Sequence, residues 1–402
     1  MPVLNKLTDR KAVAGITWLF AITYMVSYLT RINYGAVISE VVTDTGYTKD
    51  LLAMAVTGSF ITYGAGQIVS GIVGDRISPK KLITLGFVVT ILMNLLMIVC
   101  ANPWQMLIVW CINGFAQSFM WPPLVRLMSA LVSREDYKGV STKVAWGSSI
   151  GTMVIYLVSP ILISLSGWRS IFLFSAASAV IMIFVWNRFC PEIQTERTVR
   201  EKATHEKSPL FAPVMLCIMV AIILMGMLRD GVTTWMPSYI AETYDLSNAV
   251  SILTGVVLPI FSILCFQVVN RLYRKNFSNP ITCGALIFAL GAVAALGLVF
   301  TTGKVAALSV LFSAVLTGAM HGVNLMLIMM VPAYFDRYGN VSTASGVLNS
   351  CTYIGSAAST YGIALLSEKL GWSVTLWVWL AIAVAGTAIC FLCVRPWKKK
   401  FS

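Results

Sequence analysis

The chain has 402 residues, of which 58% are hydrophobic and only 11% charged, whereas a soluble domain carries roughly 25% charged residues. A mean hydropathy of +0.81 excludes an ordinary soluble enzyme, and helices of about 20 residues joined by short loops fit this length roughly a dozen times. The formal net charge of +13 does not argue for nucleic acid, because Lys and Arg confined to the loops of one membrane side are explained by topology and anionic lipid.

In chain order, the first apolar run follows Lys6, Arg10 and Lys11 and continues past Arg31 without a small-residue cleavage site, so it reads as a retained helix rather than a leader. Charge clusters, Pro/Gly punctuation and the ends of apolar runs then divide the sequence into twelve spans: 12–41, 49–73, 81–101, 104–131, 139–166, 170–189, 210–242, 248–271, 279–302, 305–333, 340–367 and 372–394. A polar segment, 190–208, separates an N-terminal six-helix bundle, 1–189, from a C-terminal one, 209–402. It holds Glu192, Glu196, Arg197, Arg200, Glu201, Lys202, His205, Glu206 and Lys207 and reads as a cytoplasmic linker. Basic residues gather on the linker's side, including Arg76, Lys80, Lys81, Arg134, Arg271, Arg274, Arg337 and Lys398 to Lys400. The positive-inside rule therefore places both termini in the cytoplasm of a cell inner (plasma) membrane protein.

The halves repeat. Ser149-Ile150-Gly151 and Gly167-Trp168 answer Tyr353-Ile354-Gly355 and Gly371-Trp372, each Gly pair 204 positions apart, and Gly114 answers Gly318 at the same offset. Two parallel six-helix repeats imply a pseudo-two-fold along the membrane normal and a binding cavity near the midplane. Glycines such as Gly64, Gly66, Gly71 and Gly74, and the Gly147/Gly151 pair, suit close helix crossings in lipid. Pro122, Pro123 and Pro237 are expected to interrupt the fourth and seventh spans.

Ionisable residues at membrane depth are costly and each is a functional candidate. Arg31 in the first span and Arg229 in the seventh, its counterpart in the second repeat, each cost at least roughly 2.5–3.5 kcal/mol on insertion scales and cannot deprotonate. Asp230 is the one acid clearly inside a span, but as the next residue it points about a third of a turn away and neutralises at most one arginine. Structural ion pairing is the alternative; a small anionic substrate is the simpler partner, since a guanidinium matches phosphate or carboxylate oxygens bidentately. Polar and aromatic neighbours extend the candidate site to Tyr24, Tyr28, Asn33, Tyr34, Tyr63, Gln67, Gln117, Trp121, Lys143, Ser148, Trp235, His321 and Asn324, with Thr233 and Thr234 nearby. Packing competes with binding for each aromatic, and Lys143 and His321 read equally well as a helix-end base and an internally bonded histidine. Cys390 and Cys393 form an isolated CxxC, Walker A and Rossmann fingerprints are missing, and neither a cofactor nor a metal is expected.

These residues resemble the major facilitator superfamily, and within it the organophosphate:phosphate antiporter family. The resemblance lies in Gly71-x-x-x-Asp75-Arg76-x-x-Pro79-Lys80-Lys81, Arg31-Ile32-Asn33-Tyr34, Tyr63-Gly64, the run from Asn113-Gly114 through Gln117-Ser118 and Trp121-Pro122-Pro123 to Arg126, and Leu228-Arg229-x-Gly231-x-x-x-Trp235-x-Pro237. It implies an all-α membrane protein with the major facilitator fold, twelve transmembrane helices in two pseudo-symmetric six-helix bundles, working as a monomer. It further implies that Arg31 and Arg229 bind phosphate, that Asp75, Arg76, Lys80 and Arg126 serve gating, and that an organic phosphate is exchanged for inorganic phosphate. Gln67 and Ser148 stand where glycerol-phosphate members carry Lys and His, so other anions stay open. The rival readings are a proton-coupled sugar-acid symporter and a transporter-like sugar-phosphate sensor.

Overall fold

The computed structural model describes residues 6–193, 208–246, 257–277 and 279–401; the linker residues Glu196 to Lys207 and the start of the eighth span lie outside them. Every regular element among the described residues is helical. The first repeat contains α1 (Arg10–Thr45), α2 (Lys49–Arg76), α3 (Pro79–Val99), α4 (Pro103–Gln117), α5 (Trp121–Leu131), α6 (Arg134–Ser166) and α7 (Arg169–Phe189). The second contains α8 (Pro213–Tyr244), α9 (described over Val257–Asn276), α10 (Pro280–Thr301), α11 (Ala306–Asn324) and α12 (Val341–Phe401). Helix starts follow local chemistry: Asp9, Asn102 and Ser133 cap α1, α4 and α6 through side-chain oxygens, and Pro79, Pro103, Pro213 and Pro280 open their helices where no N–H is needed.

Helical segments stand at all twelve expected positions. Eight stretches among the described residues are long and apolar enough to cross a membrane; the second, fourth, eighth and eleventh spans fall short. The fourth is cut between α4 and α5, the eighth is described only from Val257, and the other two are rich in Ser, Thr, Gly or Asn. Large apolar side chains such as Leu157, Phe184 and Leu392 stand more than 70% exposed, a surface that lipid and not water can cover.

Of two expectations about proline, one is met and one corrected. Pro122 and Pro123 interrupt the fourth span: they occupy the first turn of α5, and the break falls just before them, at Ser118 to Met120. The reason is steric, since a proline ring clashes with the carbonyl four residues earlier, here those of Ser118 and Phe119. Pro237, by contrast, is carried inside α8 without a break. The tenth span changes winding instead: α11 ends at Asn324, and six residues of π-helix, Leu325–Met330, lead into a 3-10 stretch, Val331–Tyr338.

The chain divides into two compact units, Met1–Lys207 with Phe335–Ser350, and Ser208–Tyr334 with Cys351–Ser402. Residues 335–350, expected in the C-terminal bundle, thus group with the first unit. In that unit α1 packs on α6, α2 on α4 and α3 on α7, around a core that includes Tyr34, Trp110 and Phe172. In the second, α11 packs against α8, α9 and α10.

The repeat is visible within each unit taken alone. A Cβ on Gly151 of α6 would fall 2.6 Å from the Met25 carbonyl of α1, and one on Gly355 of α12 would meet the Ile223 carbonyl of α8. Met25 lies six residues before Arg31 and Ile223 six before Arg229, so the two arginines hold the same place on equivalent helix pairs. Gly167 and Gly371 adopt matching left-handed φ angles of 74° and 77°, which favour glycine. The tryptophan after each donates to a carboxylate near the end of the repeat's first helix: Trp168 Nε1 to Asp44 at 2.9 Å, Trp372 Nε1 to Glu242 at 2.6 Å. Hydrogen bonds from Trp168 and then Arg169 hold the Asp44 carboxyl below its ordinary range.

Candidate functional site

Tyr24, Tyr28 and Arg31 follow the i, i+4, i+7 spacing that aligns side chains on one face of a helix. The Arg31 guanidinium carbon lies 4.1 Å from the ring centre of Tyr28 and 4.6 Å from that of Tyr63 on α2. Tyr28 in turn meets Tyr24 edge-on at 5.1 Å, and Tyr24 meets Trp121 of α5 at 4.9 Å. The first unit thus surrounds one arginine with an aromatic wall whose ring faces attract the cation. Trp121 is 1% exposed and its indole N–H has no hydrogen-bond partner among the described residues.

Three expected site residues turn out to be interior ties of the first unit. Asn33, two residues beyond Arg31 and so on the opposite side of α1, donates to Asn94 Oδ1 at 2.7 Å and Ser175 Oγ at 3.0 Å. Tyr34 is fully buried, its hydroxyl donating to the Leu52 carbonyl at 3.2 Å and its ring against Trp110 and Phe172. Gln117 donates to Thr30 Oγ1 at 2.7 Å and Thr90 Oγ1 at 3.3 Å. Gln67, fully buried, accepts from Asn349 Nδ2 at 3.0 Å and donates to the Ser118 carbonyl at 3.5 Å. Lys143 lies 5.7 Å over the Trp18 ring, and Ser148 donates to the Ala145 carbonyl of its own helix at 2.7 Å.

The second unit builds a different setting for its arginine. Arg229 Nε and Nη2 donate to Asp230 Oδ1 and Oδ2 at 2.7 and 2.8 Å, and Nη1 donates to Asn324 Oδ1 at 3.1 Å. The hydroxyl of Ser356 on α12 donates to Asp230 Oδ2. Adjacent side chains on a helix diverge at Cβ, yet the long Arg stem folds back far enough to make both bonds. Asp230, expected to neutralise at most one arginine, therefore grips Arg229 bidentately. His321 on α11 feels both charges and sets its ring edge-on to Phe266 at 5.6 Å. Trp235 lies six residues beyond Arg229 on α8, its indole N–H buried without a partner among the described residues. Ser356 was not singled out from the sequence, because one serine among the many in the eleventh span carries no distinguishing signal.

Three gating candidates of the first unit, Asp75, Arg76 and Lys80, occupy the ends of α2 and α3, and Arg126 reaches the end of α2 from the middle of α5. Asp75, just beyond the second span, accepts from the backbone N–H of Ser342 at 2.8 Å and Thr343 at 2.7 Å, the unsatisfied donors at the start of α12. Burial pushes its carboxyl up against the opposing pull of those donors and Arg126. Arg126 donates to the Gly74 and Ile77 carbonyls at the end of α2. Lys80 donates to the Asn187 and Cys190 carbonyls that close α7, at 2.9 and 2.6 Å, while Arg76 is exposed.

Comparison with known proteins places this geometry in context. The profile of the Major Facilitator Superfamily matches residues 20–360. The "Probable hexose phosphate transport protein" of Chlamydia trachomatis serovar D is 24% identical, over 87% of this chain and 84% of that one. The membrane sensor protein UhpC of Escherichia coli K12 is 22% identical, over 95% and 91%. Among solved structures, the human organic anion transporter MFSD10 superposes with a TM-score of 0.76 at 12% identity, over 96% of this chain and all of the other.

Proposed function

For a chain that belongs to the Major Facilitator Superfamily, and is thus a multi-pass membrane transporter, we propose that the cargo is an organic phosphate exchanged for inorganic phosphate. The observation that carries this reading is the duplicated arginine: Arg31 and Arg229 each lie six residues beyond the carbonyl on which the glycine of a partner helix rests. A charge retained twice at one costly depth calls for a common ligand, and a guanidinium fits the oxygens of a phosphate bidentately. The likeness to a hexose phosphate transport protein over most of both chains supports a sugar phosphate.

The mechanism is alternating access of the rocker-switch kind, in the plasma membrane with both termini cytoplasmic, by a monomer that needs no cofactor. A ligand shifts a conformational equilibrium only by its differential affinity for the states. Here the anion offsets the positive charge of Arg31 and Arg229, so the loaded carrier changes state faster than the empty one and exchange dominates. Asp75, held by the first N–H groups of α12, and Arg126, bound to the end of α2, act as the latch of that transition.

The test is radiolabelled phosphate uptake into proteoliposomes preloaded with phosphate, compared with empty ones and challenged with hexose phosphates, glycerol phosphate and sugar acids. Strong stimulation by internal phosphate, competed best by an organic phosphate, is expected; uptake that ignores internal phosphate overturns exchange. The likeness to a membrane sensor favours a second reading, a receptor for the same ligand class. Saturable binding without any flux selects it.

A further inference from the structure

The edge of Arg229 that a ligand would grip already holds Asp230. Nε to Oδ1 at 2.7 Å and Nη2 to Oδ2 at 2.8 Å reproduce the two parallel bonds by which a guanidinium takes up an external carboxylate or phosphate. The arrangement is built rather than incidental. Ser356 donates to Oδ2 from α12, and Asn324 takes Nη1 from α11. The side chain of Asp230 is 32% exposed against 14% for Arg229, so the carboxylate is the more accessible member of the pair. Charged and titratable groups facing Asp230 are Arg229 on its own helix and His321 from α11, while α12 presents the Ser356 hydroxyl. The first repeat has Ile32 at the corresponding place after Arg31, so the carboxylate belongs to one repeat alone.

We propose that Asp230 is a resident competitor for Arg229 and the proton acceptor that admits the substrate, so that an anion binding at Arg229 brings one proton onto Asp230. This rests on the reading of Arg229 as an anion-binding group. Two anionic groups cannot both use the Nε/Nη2 edge, and a like charge within about 4–6 Å disfavours an ionised carboxylate. Protonation removes the conflict: the proton comes from solvent with the anion, the carboxyl becomes neutral, and its O–H donates to the Ser356 oxygen while the guanidinium turns to the ligand. Anion affinity therefore rises as pH falls, and cargo and proton move together across the membrane.

The test is calorimetry on the full chain in detergent, in two buffers of different ionisation enthalpy between about pH 5 and about pH 8. Inorganic phosphate and gluconate are the probes; the carboxylate of gluconate stays ionised in this range, so any proton taken up with it belongs to the protein. At the alkaline end the wild type is expected to take up close to one more proton per anion than Asp230→Asn, and Asp230→Asn to bind about tenfold or more tightly. Should that variant not fold, Ser356→Ala decides: the hydroxyl bonds the charged carboxylate more strongly than the neutral carboxyl, so losing it moves the affinity curve to higher pH. Equal proton uptake in wild type and Asp230→Asn, or an unmoved curve in Ser356→Ala, overturns the proposal. Proton-linked binding of gluconate without binding of phosphate keeps it and removes the phosphate reading, whereas failure of both probes with every variant removes both.

Discussion

Arg31 and Arg229 hold matching places in the two repeats, yet their surroundings differ in kind. Ring faces meet Arg31, those of Tyr28 and Tyr63; oxygen atoms meet Arg229, those of Asp230 and Asn324. A ring face attracts a cation through its quadrupole and carries no net charge, whereas a bidentate carboxylate cancels the charge it grips. Matching places in the two repeats thus carry the same residue beside different neighbours. The difference assigns unlike tasks to like residues: the first arginine offers charge within an aromatic wall, and the second offers it in competition with a built-in anion.

The comparison is broken most severely by replacing the arginines. Arg229→Lys and Arg31→Lys should each lower phosphate exchange in proteoliposomes, by roughly 10- to 100-fold for bonds to a charged group, while the protein still purifies folded. The loss should be deeper at Arg229, where the planar fork is used bidentately, than at Arg31, where an ammonium still sits on ring faces; the reverse order would remove the distinction drawn here. Next come the glycines that hold both arginines in register. Gly151→Leu and Gly355→Leu should each destabilise by about 1–3 kcal/mol or more through overpacking, read as a lower unfolding midpoint in detergent, and tolerance at one site alone would show that the helix pairs are not equivalent.

A smaller effect is expected at the aromatic wall. Tyr63→Leu should weaken anion affinity through a displaced Arg31, on the order of the 0.5–2 kcal/mol of a cation–π contact, and Tyr63→Phe should restore it. Smallest is the peripheral pair of Trp–carboxylate bonds. The Asp44 carboxyl is depressed by Trp168 and Arg169, so its contribution is present above the unfolded value of about 3.9 and is lost as pH falls through the lower folded one. The thermal stability of the wild type should therefore fall on acidification below about pH 4, and Asp44→Asn should flatten that part of the curve.

Much of the architecture was legible because backbone groups in lipid must be satisfied within each segment, which forces helices of countable length. Gly151, Gly355 and the Gly-Trp pairs revealed the repeat for the same reason that they shape it: close crossings and left-handed corners tolerate few other residues. What a helix side faces was harder to read. In lipid the outside of a bundle is as apolar as the inside, so nothing in the pattern around Asn33 and Tyr34 distinguished a cavity wall from the interior tie to Asn94 and Ser175 or the packing on Trp110. That Asp230 takes up one arginine was allowed by the sequence, but its bidentate grip on the adjacent Arg229 was not legible, because helical spacing describes Cβ directions and a guanidinium reaches several bonds beyond Cβ.

The change of winding in the tenth span has a mechanical consequence. A π-helix packs more residues into each turn than an α-helix, so Leu325–Met330 is stored slack, immediately after the asparagine that holds Arg229. Rewinding that stretch as α would lengthen the rod and twist the chain beyond it, as thread drawn from a spool turns the spool. A pull at Asn324 that rewound the stretch would therefore turn the helix beyond it, as a gear turns a shaft.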